Sequence, residues 1–321
     1  MSKVTSNWKS SIKAGSYQRK ASQFRQWVSV DGDTGFKAES GRYHLYVSLA
    51  CPWAHRTLVF RKLKGLVEHI SVSVVHPDMH ENGWSFLHDD DTSAEYQTTG
   101  DSLYQQSFMR DIYHKSAAGY QGNITVPVLW DKQKQVIVSN ESADIIRMFN
   151  SEFNHITGND LDFYPEHLQQ DIDEVNELVY HNINNGVYKT GFATTQSAYE
   201  ENCRKLFSAL AEVDNILANN RYLTGNELTE ADWRLWTTLV RFDSVYHTHF
   251  KCNVNLLVQY ENLYHFMLEL YQMTGIAETV NHAHIKRHYY ASHLSINPHG
   301  IVPIGHQQNW LIAHGRDKKF T

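Results

Sequence analysis

Cysteine is scarce: the 321 residues hold three, Cys51, Cys203 and Cys252, too few and too scattered for a disulfide scaffold. The thiols are expected to stay reduced and the chain to be cytoplasmic. No apolar run approaches the roughly 20 residues that cross a bilayer, so no membrane partner is expected. The opening stretch, Met1 to Lys13, is polar and lacks the apolar core of a secretion signal. Positive charge is not in excess either. Lys and Arg number 29 against 35 Asp and Glu, well mixed, for a net charge of −6, which argues against a nucleic-acid partner. Twenty histidines include a cluster at His282, His284, His288 and His293, but no Cys or carboxylate ligand pattern accompanies it and a helical zinc motif is missing, so no metal is expected. Asp31-Gly32-Asp33-Thr34-Gly35 opens like a calcium loop without its third acidic position or the glycine at position six, and reads as a turn. What remains is ordinary globular material, 41% hydrophobic and 20% charged, long enough for two domains.

The stretch that organises the chain is Ser48-Leu49-Ala50-Cys51-Pro52-Trp53-Ala54-His55-Arg56. Tyr43 to Val47 before it alternate as a strand does, and Leu58, Val59, Leu63 and Leu66 after it recur at helical spacing. Cys51 therefore stands where a strand hands over to a helix, with Pro52 in the first turn, where a missing N–H costs nothing. Unpaired N–H groups and the positive end of a helix dipole favour the thiolate, the form that attacks. A dithiol oxidoreductase would carry a second cysteine three positions on, but that position is Ala54. The thiol that resolves a mixed disulfide on Cys51 must then come from solution, where glutathione is the abundant candidate. The competing reading of Cys51 is a small buried hydrophobe.

Along the chain, residues 1–40 show no sustained period. From Tyr43 the expected order is strand, helix (about 52–66) and strand (70–75), a βαβ unit, followed by a long polar insertion at 77–122 with a helix near 102–116. Val126 to Trp130 and Gln135 to Val138 read as a hairpin around Asp131-Lys132-Gln133-Lys134, running into a helix start over Ser139 to Asp144 that Ile145, Ile146 and Phe149 continue. The order β-α-β-insert-β-β-α is that of the thioredoxin fold. In that setting Pro127, opening a sheet strand, is expected to be cis, with the N–H and C=O of Val126 available to dock a peptide. After Pro165 every period is helical, Cys203 falls on a core stripe, and Thr229-Glu230-Ala231-Asp232 reads as a capping box. The expected architecture is an α/β thioredoxin-like domain over 1–155 and an all-α domain over 156–321, with apolar helical runs near 256–273 and 276–290.

A thioredoxin-like half joined to a helical half resembles the soluble glutathione transferases, and Tyr222 to Gly225 with Leu228 to Trp233 resembles their capping-box segment. Ser48 to Arg56, Asn82-Gly83-Trp84-Ser85-Phe86, Asn184 to Lys189, Arg241 to Tyr246 and Ile285 to Tyr290 resemble one class of them, the glutathionyl-hydroquinone reductases (Xi class), from Tyr43 to Tyr290 and without departure at the motif positions. The resemblance implies reduction of glutathionyl-hydroquinones to hydroquinones by a homodimer that consumes glutathione, with Cys51 as nucleophile. It implies further that Glu141 and Ser142 hold the γ-glutamyl end of glutathione and that Val126 pairs with its cysteinyl unit. Trp84 and Arg110 are carried over as other glutathione contacts, and Tyr188, Tyr246 and Tyr289 as the acceptor site, their hydroxyls hydrogen-bonding the substrate and relaying a proton. The alternatives from the residues are a broader cysteine-type thiol transferase or dehydroascorbate reductase, and a non-catalytic interaction module on the same fold.

Overall fold

A computed structural model describes residues 11–86, 94–305 and 307–320; the start of the N-terminal extension and residues 87–93 of the insertion lie outside them. The described chain divides into two units whose segments alternate along the sequence. One comprises Ala21–Leu161 with Glu278–Val302, and the other residues 11–20, Asp162–Ala277 and residues 303–320.

The first unit is built on a four-stranded sheet. β1 (Tyr43–Val47) is buried at all five positions, because its side chains alternate between two covered faces of a central strand. It pairs in parallel with β2 (Ser71–Val74), across the crossover helix α1 (Pro52–Leu63). On its other side β1 pairs antiparallel with β3 (Val128–Asp131), and β3 with β4 (Val136–Ser139), giving the order β2-β1-β3-β4. The hairpin turn between β3 and β4 is fastened by Asp131, which accepts from the N–H of Gln133 at 2.8 Å. α1 ends where Gly65 takes a left-handed φ of +70°, as glycine does at helix ends. α2 (Met109–Ser116) is shorter than the periodicity implied. Asp101 accepts from the N–H groups of Leu103 and Gln106 and holds 101–106 as a turn, while Asp111 reaches back to the N–H of Phe108 and starts the helix. α3 (Ser142–Ser151) follows β4. This is a thioredoxin-like fold.

The aperiodic segment after Ala21 has a defined place. Gln26 donates to the carbonyl of Val138 and Asn140 to that of Phe24, both at 3.0 Å, so residues 24–26 run antiparallel along β4 and cover the sheet edge.

The second unit is helical: α4 (Gln169–Val179), α5 (Gly186–Gly191), α6 (Gln196–Asn219), α7 (Glu230–Arg241) and α8 (Glu261–Gln272), with a two-stranded ribbon, Ile12–Lys13 against Ser16–Tyr17. Two single π-helical turns, Tyr180–Asn184 and Phe242–Tyr246, interrupt it. Cys203 is buried on α6. The capping box at α7 is formed: buried Asp232 accepts from the N–H of Thr229 at 2.8 Å and from that of Leu223 at 2.9 Å.

The last long helix, α9 (His282–Ser292), belongs to the first unit, although it follows the helical run in sequence. Its polar side chains are spent on first-unit groups. Arg287 makes a two-point ion pair with Asp78, and the Nδ1 atoms of His284 and His288 lie 2.8 and 2.7 Å from the carbonyl oxygens of Tyr96 and Pro77.

His44 is buried on β1 beside Ser71, and desolvation pushes its pKa down from 6.5 to about 4. The unfolded chain takes up this proton below pH 6.5 and the folded chain does not until about pH 4, so acidification through that window removes stability, up to about 3 kcal/mol. The stability difference between wild type and His44→Gln should therefore shrink by about 2–3 kcal/mol from pH 7 to pH 4.5 in urea titrations. A pH-independent difference refutes the assignment.

Candidate active site

Cys51 is the N-cap of α1, extended at φ −76° and ψ 118°, with the Ala54 N–H 3.5 Å from its sulfur. The half-buried thiol donates to the carbonyl oxygen of Val126, also at 3.5 Å. The sulfur thus stands between a helix N-terminal donor and a strand-end acceptor. The turn beneath it is closed by Ser48, whose carbonyl accepts from the Cys51 N–H at 3.1 Å and whose hydroxyl oxygen accepts from the Ala50 N–H at 3.2 Å.

Val126 is placed by its neighbours. The Val126–Pro127 bond is cis. One buried phenol, Tyr113 on α2, fixes the preceding residue: its hydroxyl donates to the Thr125 carbonyl at 2.9 Å and accepts from the Thr125 N–H at 3.2 Å. Burial raises the Tyr113 pKa and keeps this hydroxyl protonated. The same oxygen accepts from Asn140 Nδ2 at 3.0 Å. Asn140 immediately precedes Glu141, the N-cap of α3, whose Oε1 accepts from the Ala143 N–H at 3.1 Å. Ser22 donates to the other carboxylate oxygen of Glu141 at 2.9 Å, and Ser142 is buried at the first position of the helix. Hydrogen bonds through Tyr113 and Asn140, together with the peptide links Thr125–Val126 and Asn140–Glu141, therefore tie Cys51 and Val126 to Glu141 and Ser142.

Trp84 is buried and stacks on His288 of α9, ring centroids 4.8 Å apart and planes 23° from parallel. Arg110, on α2, is only partly covered; it donates to Asn82 Oδ1 at 2.9 Å and lies over the Phe108 ring at 4.5 Å. Tyr289 is buried on α9 and meets His288 and His293 edge to face. Three members of the histidine cluster, His284, His288 and His293, are engaged in these contacts, and no group of three metal-ligating side chains occurs among the described residues.

Tyr188 and Tyr246 belong to the second unit. Their rings lie 6.1 Å apart, and both pack on Phe250, which stacks on Tyr246 within 13° of parallel. Tyr188 is on α5 just after one π turn, and Tyr246 closes the other, a local form that recurs at functional sites. The Arg19 guanidinium lies 5.2 Å above the Tyr188 ring and donates to Asn185 at 2.8 Å.

Ser22, Tyr113, Thr125 and Asn140 are supporting residues that the sequence did not single out, and His284, noted there only within the histidine cluster, is another. Asn140, directly before Glu141, carried the one local signal. The others act through partners roughly 12 to 240 positions away.

Models of the glutathione S-transferase N-terminal and C-terminal domains match residues 50–152 and 196–267. The chain is 56% identical to glutathionyl-hydroquinone reductase YqjG of Escherichia coli over 95% of its own length and 94% of the relative's, and 47% identical to glutathionyl-hydroquinone reductase PcpF of Sphingobium chlorophenolicum over 92% and 91%. The glutathione-bound structure of YqjG superposes with a TM-score of 0.89, covering 92% of this chain and 97% of that one. A Xi-class glutathione transferase from Natrialba magadii, 49% identical, gives the same score over 93% and 90%.

Replacing Tyr113 by Phe strands the Thr125 N–H and one amide hydrogen of Asn140, each worth about 1–3 kcal/mol when buried. The variant should melt several degrees lower and should lose affinity for glutathione about five- to tenfold. Thermal shift with and without the tripeptide measures both, and unchanged glutathione stabilisation would remove Tyr113 from the site.

Proposed function

Since the chain belongs to the glutathionyl-hydroquinone reductases, the Xi class of the glutathione transferases, it is a glutathione-dependent enzyme, and we propose that its chemistry runs through Cys51. It reduces glutathionyl-hydroquinones to hydroquinones with glutathione as co-substrate. The observation that carries the assignment to Cys51 is its half-buried sulfur at the head of α1, between the Ala54 N–H and the Val126 carbonyl.

In this reading the Cys51 thiolate attacks the sulfur of the glutathionyl conjugate. The sulfur–carbon bond breaks, its electron pair stays with the ring carbon, and that carbon takes a proton to give the hydroquinone. Cys51 is left as a mixed disulfide with glutathione. The thiolate of a second glutathione attacks the glutathione sulfur of that disulfide, glutathione disulfide departs, and Cys51 returns as thiolate. Ala54 occupies the position of a resolving thiol, which is why the second glutathione is required. Ionisation of Cys51 also withdraws its hydrogen from the Val126 carbonyl, leaving that oxygen to accept from a ligand N–H. Glu141 pairs with the α-ammonium of the γ-glutamyl group, while Ser142 and the first N–H groups of α3 receive its carboxylate. Trp84 and Arg110 complete the glutathione contacts. Tyr188, Tyr246 and Tyr289 bind the acceptor ring and supply the proton relay.

The thioredoxin-like unit, with its insertion at 77–122, binds glutathione in this proposal; of the acceptor tyrosines, Tyr188 and Tyr246 come from the helical unit and Tyr289 from α9, so the boundary near 155 divides the chain less simply than the sequence implied. The enzyme is placed in the cytoplasm as a homodimer. The dimer is what the family resemblance implies, and the free state of all three cysteines supports a reducing compartment.

Cys51→Ala should lower turnover of a glutathionyl-hydroquinone on the order of 10³-fold while glutathione still raises the melting temperature. A variant that keeps most of the wild-type rate would sink the mechanism. Light scattering of the purified chain should give twice 37.2 kDa; a mass of one chain removes the dimer.

A further inference from the structure

Ser48 orders the Cys51 turn, and something must order Ser48. Its hydroxyl lies 3.3 Å from Nε2 of His284, both groups are buried, and the two residues are 236 positions apart. The other ring nitrogen, Nδ1, lies 2.8 Å from the Tyr96 carbonyl oxygen, which can only accept, so Nδ1 carries the hydrogen. In the neutral imidazole Nε2 is then an acceptor, and the Ser48 hydroxyl donates to it. The single Ser48 hydrogen is thereby committed to α9, and a lone pair on the same oxygen faces the Ala50 N–H at 3.2 Å. His284 is itself fixed from below: Asn281, the N-cap of α9, accepts from the His284 N–H at 2.8 Å and donates to the Glu95 carbonyl at 2.9 Å. Nearby, Thr279 lies 2.8 Å from Nε2 of His55, one turn along α1 from Cys51.

We propose that His284 is a positioning residue for Cys51, acting through Ser48. The chain of bonds runs from the Tyr96 carbonyl to imidazole, to hydroxyl, to the Ala50 N–H, and holds the turn that aims the sulfur at Val126. The proposal rests on Cys51 being the nucleophile, and it concerns the orientation of the thiol rather than any contact with substrate.

Two amides separate the two bonds of the imidazole. Asn at 284 places its amide where Nδ1 stands, keeping a donor for Tyr96 and losing the acceptor for Ser48. Gln places its amide where Nε2 stands and keeps that acceptor. Ser48→Ala tests the same link by removing one oxygen and leaves α9 untouched. The readout is the rate at which iodoacetamide alkylates Cys51 in the full chain, located by peptide mass, with buried Cys203 and Cys252 reporting any unfolding. Ser48→Ala and His284→Asn should each slow Cys51 alkylation about tenfold, and the double variant should be no slower than either. His284→Gln should stay within about threefold of wild type. The kcat should fall in parallel with alkylation, with KM for glutathione unchanged within twofold. Wild-type alkylation in Ser48→Ala overturns the proposal, as does a His284→Gln variant slower than His284→Asn, which would assign the histidine to Tyr96 alone. Because alkylation is read without turnover, either result leaves the role of Cys51, tested by Cys51→Ala, standing on its own.

Discussion

The bond between the Cys51 thiol and the Val126 carbonyl depends on the register of two strands. β1 and β3 run antiparallel with Tyr46 opposite Val128, so the chain leaving β1 at its end meets the chain about to enter β3. Residues 48–51 and 125–127 are therefore neighbours before any side chain is considered. A slip of one residue would turn every side chain of β1 to the opposite face. It would also carry the sulfur away from the carbonyl that faces it. Both faces of β1 are buried, which is what makes such a slip costly. Placement of the reactive atom is thus a property of the sheet, and the helix behind it contributes the N–H groups and the dipole.

Much of this was readable because the signals were local. Alternation marked β1, the turn residues marked the hairpin, Pro52 marked the start of α1, and helical spacing put Cys203 in the core. The misses are non-local. Apolar spacing ran a helix back to 102, whereas the carboxylate of Asp101 takes the N–H groups that would have opened it. Residues 24–26 have no period of their own because their backbone partners are on β4, more than a hundred positions on. In the histidine cluster, His284 and His288 face the carbonyl oxygens of Tyr96 and Pro77, partners that no spacing could reveal. The glutathione-contact and acceptor residues came from the resemblance, since aromatic residues in a chain this rich in them carry no positional message.

The second unit shows how a π turn redirects a helix face. Along α4 the buried positions are Ile172, Asn176 and Val179, with Ile183 inside the π turn. A π turn inserts a residue relative to the α-helical repeat, and the faces before and after it no longer align. Tyr188 follows one such turn and Tyr246 ends the other, and their rings meet over Phe250. Two unrelated helices thus deliver phenols to one cluster by the same local irregularity.

The return of α9 to the first unit has a consequence for biosynthesis. Residues 162–281, 120 in all, must be translated between Leu161 and the start of the helix that fastens Pro77, Asp78 and Tyr96. At ribosomal speeds of roughly 5–20 residues per second this is a wait on the order of ten seconds. Throughout it the sheet and α1 can assemble, but the carbonyls of Pro77 and Tyr96 and the carboxylate of Asp78 have not met their partners. The nascent thiol is in this sense made early, while the helix whose His284 reaches Ser48 arrives late.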